Sequence, residues 1–204
     1  MKKSVIAAAM AASLAAATAV RAETHSIELS LWSPTLQIGD TSDDISGLRL
    51  ALYGENHNMT GVDIGLWTVT TGEFYGLQLA WIYSRTEGDF NGLLDGGIVS
   101  RVRGEMYGVD LGFITFVDSK ACGVVSGLFS LIDGEMKEFQ FGFVNYASTL
   151  NGFQLGFVNT ASALSGFQLG LVNWAERGYG LQIGLINVFG DGFLPVFPIV
   201  NFNF

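Results

Sequence analysis

Glu138-Phe-Gln-Phe-Gly-Phe-Val-Asn145, Gly152-Phe-Gln-Leu-Gly-Phe-Val-Asn159, Gly166-Phe-Gln-Leu-Gly-Leu-Val-Asn173 and Gly180-Leu-Gln-Ile-Gly-Leu-Ile-Asn187 are copies of one octapeptide set 14 residues apart. A fixed internal period of this kind precedes any local assignment, because it implies one structural unit used repeatedly. Looser copies begin upstream at Gly47, Gly61, Gly76, Gly92, Gly108 and Gly123, and those at Gly92 and Gly123 are degenerate. Within each copy the alternation has period 2, which is the signature of a strand rather than a helix. The second, fourth and sixth positions are apolar, as in Leu48, Leu50 and Leu52, or Phe153, Leu155 and Phe157. The third is polar in eight copies: Arg49, Asp63, Gln78, Asp110, Gln140, Gln154, Gln168 and Gln182. Ile27 to Trp32 and Val196 to Phe204 alternate as well, so about twelve short strands are expected in an all-β protein.

Two architectures bury such a pattern. In an antiparallel transmembrane β-barrel the Leu and Phe rows face lipid and the Gly and Gln rows face the interior. In a β-solenoid of 14–16-residue repeats the Leu and Phe rows turn inward, and the Gln and Asn rows form ladders outside. The barrel is the leading expectation. A repeat of 14 to 16 residues less a short turn leaves a strand near the ~9–11 residues that cross a bilayer at a tilt. Tyr53, Tyr75, Tyr83, Tyr107, Tyr146, Tyr179, Trp67 and Trp174 fall at or beyond motif ends, like aromatic girdles, while the charges cluster in the connections. Phe202 and Phe204 end the chain in alternation, like the carboxy-terminal signal of outer-membrane barrels. Alternation imposes a parity condition on such hairpins, since a 14-residue spacing keeps the apolar face outward only with odd loops. The exact recurrence of Asn145, Asn159, Asn173 and Asn187 favours the solenoid instead, because identical residues stack in register there.

Residues 1–22 read as a secretory signal peptide, with Lys2 and Lys3 before an Ala-rich apolar core and small-residue cleavage chemistry after Ala22. Residues 23–204 then form a single repeat-built domain. Loss of Lys2, Lys3 and Arg21 with the leader leaves 7 basic against 19 acidic residues, a formal charge of −12. That balance argues against a nucleic-acid partner, which needs phosphate neutralisation. Cys122 is the single cysteine and allows no internal disulfide.

The repeats, together with the ending Leu194-Pro-Val-Phe-Pro-Ile-Val-Asn-Phe-Asn-Phe204, resemble a bacterial surface-repeat family of the type noted among leptospiral surface proteins. The resemblance runs from about Gly47 to Phe204. It implies a surface location and carries no activity with it.

An enzyme is not expected, and no catalytic, cofactor or metal residues are assigned. The chain has two histidines, His25 and His57, with no nucleophile-and-base constellation around either. Asp40, Asp43 and Asp44 lack the order of a calcium loop and its closing Glu. The function expected from the sequence is a structural or surface role in the outer membrane, with a narrow channel as a possible extension through the polar row. Outer-membrane lipid and the barrel-assembly machinery are the partners this implies. The alternative is a soluble or surface-attached solenoid, periplasmic or at the cell surface, that serves as an interaction module.

Overall fold

A computed structural model describes residues 23–204, and the expected leader, residues 1–22, lies outside them. All of the secondary structure described is β: β1 (Thr24–Trp32), β2 (Leu36–Gln37), β3 (Asp44–Asn56), β4 (Met59–Thr70), β5 (Phe74–Thr86), β6 (Phe90–Asp95), β7 (Val99–Val102), β8 (Met106–Leu111), β9 (Ile114–Val117), β10 (Ala121–Leu169), β11 (Val172–Phe189) and β12 (Val196–Asn203).

The strands pair in parallel with their copies one period on. Gly47 faces Gly61, Gly61 faces Gly76, Gly76 faces Gly92, Gly92 faces Gly108, and Gly108 faces Gly123. Gly166 faces Gly180 at the other end of the row. The chain is therefore a β-solenoid, in which each repeat is one coil and each motif position is a row along the axis. Ten coils carry the row that runs from Gly47 to Gly180, and at ~4.8 Å per coil they give an axis near 50 Å. β10 is long because it passes through several coils without a break in pairing.

This replaces the antiparallel barrel. Parallel pairing in register satisfies the Gly, Gln and Asn recurrences at once, whereas hairpins would place unlike residues side by side. The loop-parity condition consequently has no hairpins to apply to. Pairing partners are separated by whole periods, so a coil of 14, 15 or 16 residues keeps every side chain on its own side.

The solenoid expected from the sequence is also turned inside out along part of its circumference. The Gln row points inward and the Leu and Phe rows outward. Two further inward rows make the apolar core, and both lie between the motifs. Ile45, Met59, Phe74, Phe90 and Met106 begin one, which reaches Leu150 and Leu164, while Val102, Val117, Ile132, Ala147, Ala161 and Ala175 belong to the other. Segments read as connections are thus the strands that hold the hydrophobic core.

The fifth motif position is Gly142, Gly156, Gly170 and Gly184 in the C-terminal coils, where the chain turns a corner, and Ala51 and Ala80 in two of the N-terminal ones. A Cβ at Gly156 would collide with the carbonyl of Gly142 and the amide of Asn145, so the corner is tight enough to exclude a side chain. β12 closes the C-terminal end by running antiparallel to β11, with Asn201 opposite Gln182. At the N-terminal end β2 folds back antiparallel on β1.

Candidate functional site

The eight polar residues of the third motif position, Arg49, Asp63, Gln78, Asp110, Gln140, Gln154, Gln168 and Gln182, are all fully buried. Burial of amides is tolerated only when they are hydrogen-bonded. In the last three coils the Gln Nε2 donates to the Gln Oε1 of the coil before: Gln154 to Gln140 at 2.8 Å, Gln168 to Gln154 at 2.7 Å, and Gln182 to Gln168 at 2.7 Å. Its second proton goes to a backbone carbonyl six residues on, such as Thr160 O for Gln154. The Asn row runs the other way, with Asn145 donating to Asn159 at 2.9 Å, Asn159 to Asn173 at 2.8 Å, and Asn173 to Asn187 at 2.7 Å. The two amide ladders therefore have opposed dipoles. Their unpartnered acceptors are Gln182 Oε1 and Asn145 Oδ1, the two places where a ladder has no further donor.

Toward the N-terminus the row becomes ionic. Arg49 grips Asp63 in a fork, Nε to Oδ1 at 2.8 Å and Nη2 to Oδ2 at 2.5 Å, and Nη1 donates to Asn56 Oδ1 and Val69 O. Gln78 donates to Asp63 Oδ2 at 2.8 Å and to Thr68 Oγ1 at 3.0 Å, which ends the ionic segment. Glu28 extends it by one coil, opposite Arg49. Sequence reading missed Glu28, although Ile27-Glu28-Leu29 repeats the alternation of Leu48-Arg49-Leu50. Burial pushes the Glu28 carboxyl up to about 7, against the pull of Arg49. Leu94 and Val125, from the two degenerate copies, interrupt the row on either side of Asp110.

Outside these polar rows lies a rim of exposed apolar side chains around the Gly corner. The sixth-position row includes Leu52, Phe113, Leu128, Phe143, Phe157, Leu171 and Leu185, with Phe157 50% and Leu185 67% exposed. Phe143 stacks on Phe157 at 4.4 Å and Phe153 on Phe167 at 5.0 Å between ring centroids. The fourth-position row contains one charge, Asp95.

Aromatic residues with polar ends flank this rim on both sides. Tyr75, Tyr107 and Tyr179 lie just before the Gly row, and Trp32, Tyr53, Trp67 and Tyr83 form a run of ring contacts just past the apolar positions. The hydroxyls turn away from the rim. Tyr53 donates to Glu55 at 3.0 Å, Tyr75 donates to Glu73 at 2.9 Å, and Tyr107 donates to Glu105. Beyond them the ion pairs Arg101–Asp118 at 2.7 Å and Arg103–Glu87 at 2.7 Å occupy the opposite edge of the coil. Around the circumference the order is therefore apolar, aromatic, charged.

The remaining sequence candidates lie elsewhere. Asp43 accepts from the Asp40 amide at 2.7 Å, the Glu23 amide at 3.0 Å and His25 at 3.0 Å. These bonds, the Asp40 amide first, hold its carboxyl below the usual range. His57 meets Thr71 Oγ1 at 3.3 Å at an exposed turn, and Cys122 is a free thiol. Among the described residues no group of three or more His, Cys, Asp or Glu is arranged to hold a metal ion, and no helix is long and apolar enough to cross a membrane.

Comparison with protein families, with curated proteins and with solved structures gives no match for this chain.

Proposed function

We propose that the chain is an exported, non-catalytic β-solenoid that works as an interaction module by lying with its apolar rim in the outer-membrane lipid surface. The observation that carries this reading is the transverse order of the coil. An apolar strip bordered on both sides by Tyr and Trp, with the Tyr hydroxyls turned toward a charged edge, is how interfacial residues arrange themselves at lipid headgroup level. Each half-exposed Leu or Phe withdrawn from water contributes about 1 kcal/mol, and the rim offers them in several rows. Scattered exposed apolar residues need no explanation, but a continuous strip of this length does.

The solenoid lies on the membrane in this reading and does not cross it. A barrel lumen is no longer part of it, because the inward amides fill the coil by bonding to one another, and barrel-assembly machinery has no role. The role assigned is structural or at the surface.

Vesicle flotation provides the test. The purified protein is expected to float with neutral phosphatidylcholine vesicles in a sucrose gradient. The double variant Leu155→Glu, Phe157→Glu changes two exposed rim positions and should remain at the bottom, with an unaltered far-ultraviolet circular dichroism spectrum. Flotation of that variant to the same extent as the parent, or failure of the parent to float, would falsify the reading.

A further inference from the structure

β1 is the outermost parallel strand at the N-terminal end of the stack, and its pairing with β3 begins at Thr24 opposite Asp44. One buried side chain holds the start of that strand. Asp43 Oδ2 accepts from the Asp40 amide at 2.7 Å and meets His25 Nε2 at 3.0 Å, while Oδ1 accepts from the Glu23 backbone nitrogen at 3.0 Å. The Glu23 carbonyl in turn accepts from the Asp44 amide at 2.8 Å. Glu23 is thus bonded on both sides to consecutive residues of one turn. Asp43 is 6% exposed, whereas Glu23 is open to solvent.

The turn is short of positive charge. Asp40, Asp43 and Asp44 lie within five residues, and among the described residues no Lys or Arg pairs with Asp43. Its one side-chain partner is His25, which is a cation only when protonated.

The Glu23 nitrogen belongs to the Ala22–Glu23 peptide bond, where the leader is expected to be cut. Hydrolysis of that bond by a signal peptidase consumes one water, whose hydroxyl goes to the Ala22 carbonyl carbon and whose proton goes to the Glu23 nitrogen. The carboxylic acid so formed on Ala22 releases a second proton, and the amine takes it up as an α-ammonium. A neutral donor becomes a cation at a position already 3.0 Å from a carboxylate. Hydrogen bonds between a cation and a carboxylate are shorter and stronger than those from a neutral amide. The exposure of Glu23 leaves the remaining N–H groups to water, so the new charge is not stranded.

We propose that Asp43 is a receptor for the α-ammonium of Glu23, so that removal of the leader fastens β1 onto the stack and completes the N-terminal coil. The proposal rests on the exported reading of the chain, because export is what brings the Ala22–Glu23 bond to a peptidase. Through β1 the clamp also holds Glu28 over Arg49 at the end of the ionic row.

The test starts from protein secreted with its own leader, whose intact mass should correspond to a chain beginning at Glu23. That chain has three amines: the α-amine, Lys120 and Lys137. With a limiting N-hydroxysuccinimide ester at pH 7, the α-amine of the folded parent should react about tenfold more slowly than in Asp43→Asn, because a pKa raised by about one unit cuts the neutral fraction tenfold. Lys120 and Lys137 should react alike in both. The same slowing is expected for the folded parent against the parent unfolded in urea, a comparison that does not depend on the variant folding. A chain with Gly-Ser-Ala placed before Glu23 keeps a neutral amide there and should melt about 3 °C below the parent. In the Asp43→Asn background that extension should leave the melting temperature unchanged. Equal α-amine reactivity in the folded and unfolded parent would overturn the proposal, as would an extended chain that melts with the parent. A mass that begins at another residue overturns it through the cleavage site, and an uncut chain removes the exported reading with it. A chain that begins at Glu23 with an unprotected α-amine keeps export and loses the receptor.

Discussion

Asp110 is a carboxyl placed among apolar neighbours, with Leu94 and Val125 as its partners along the row. Its help comes from the Ser100 hydroxyl, which donates at 2.8 and 3.1 Å, and from the Gly112 amide. That is too little to offset burial, which raises its pKa from 3.8 to about 7. Below pH 4 folded and unfolded chains both carry the proton, so nothing is lost. Between pH 4 and 7 the unfolded chain releases it while the folded chain keeps it, so stability falls across that window and levels off above it. Glu28, also raised to about 7, adds to the same slope. Asp110→Asn should therefore unfold at a higher temperature than the parent at pH 8, by about 2–4 kcal/mol of stability, and at nearly the same temperature at pH 3.5. Equal melting shifts at the two pH values would refute this. Arg49 is the opposite case, a buried charge with a matched partner. Arg49→Met should cost about 3–5 kcal/mol in denaturant unfolding, because it strands Asp63 without its fork.

The strand rows distinguish positions that tolerate a side chain from positions that do not. Gly108 has φ 131°, and a Cβ there would run into the carbonyl of Gly92 in the coil below. Glu138 occupies the same row with φ 82°, a left-handed conformation that non-glycine residues adopt at a cost of about 1–2 kcal/mol. Glu138→Gly is thus expected to raise stability by about 1 kcal/mol in urea titration, and Gly108→Ala to lower it by several times that amount. A loss of stability on Glu138→Gly would show that the side chain contributes more than the backbone strain removes.

The same rows explain what the sequence made legible. Alternation identified each strand and its two faces, and the 14-residue recurrence identified the repeat. What alternation does not carry is which face is inner. Alternation predicts an inward polar third position only within a barrel, because a solenoid is expected to hide Leu and Phe. The structure keeps the solenoid and puts the amides inside, since Gln and Asn bond fully to their own copies one coil away. The apolar core is not legible from the motifs because Met59, Met106, Val102, Ala147 and Ala161 fall between them, in stretches with the composition of turns. Leu150 and Leu164 mark the missed row in the sequence, at the same 14-residue spacing as the Asn residues.

At the scale of the whole molecule each coil touches its two neighbours, so stability is close to a sum over coils and interfaces. Deleting residues 152–165 removes one coil and joins Asn151 to Gly166 in register. The shortened protein is expected to keep its β-type circular dichroism and unfold cooperatively, with a somewhat lower urea midpoint. Loss of the fold would mean that the rows are coupled over more than nearest neighbours. The rim shortens in proportion, so vesicle affinity should fall with it.

The strand reversal at β12 matters to a molecule built this way. A stack of parallel coils with repeating amides is a template on which any similar chain could crystallise, one layer at a time. β12 crosses the last coil in the opposite sense, and Asn187 turns its amide protons to the Gly184 and Phe197 carbonyls, so the pattern is no longer offered to a newcomer. The reversal serves the lattice as a full stop does a sentence: it lets the chain use the geometry of a fibril while remaining a particle of finite length.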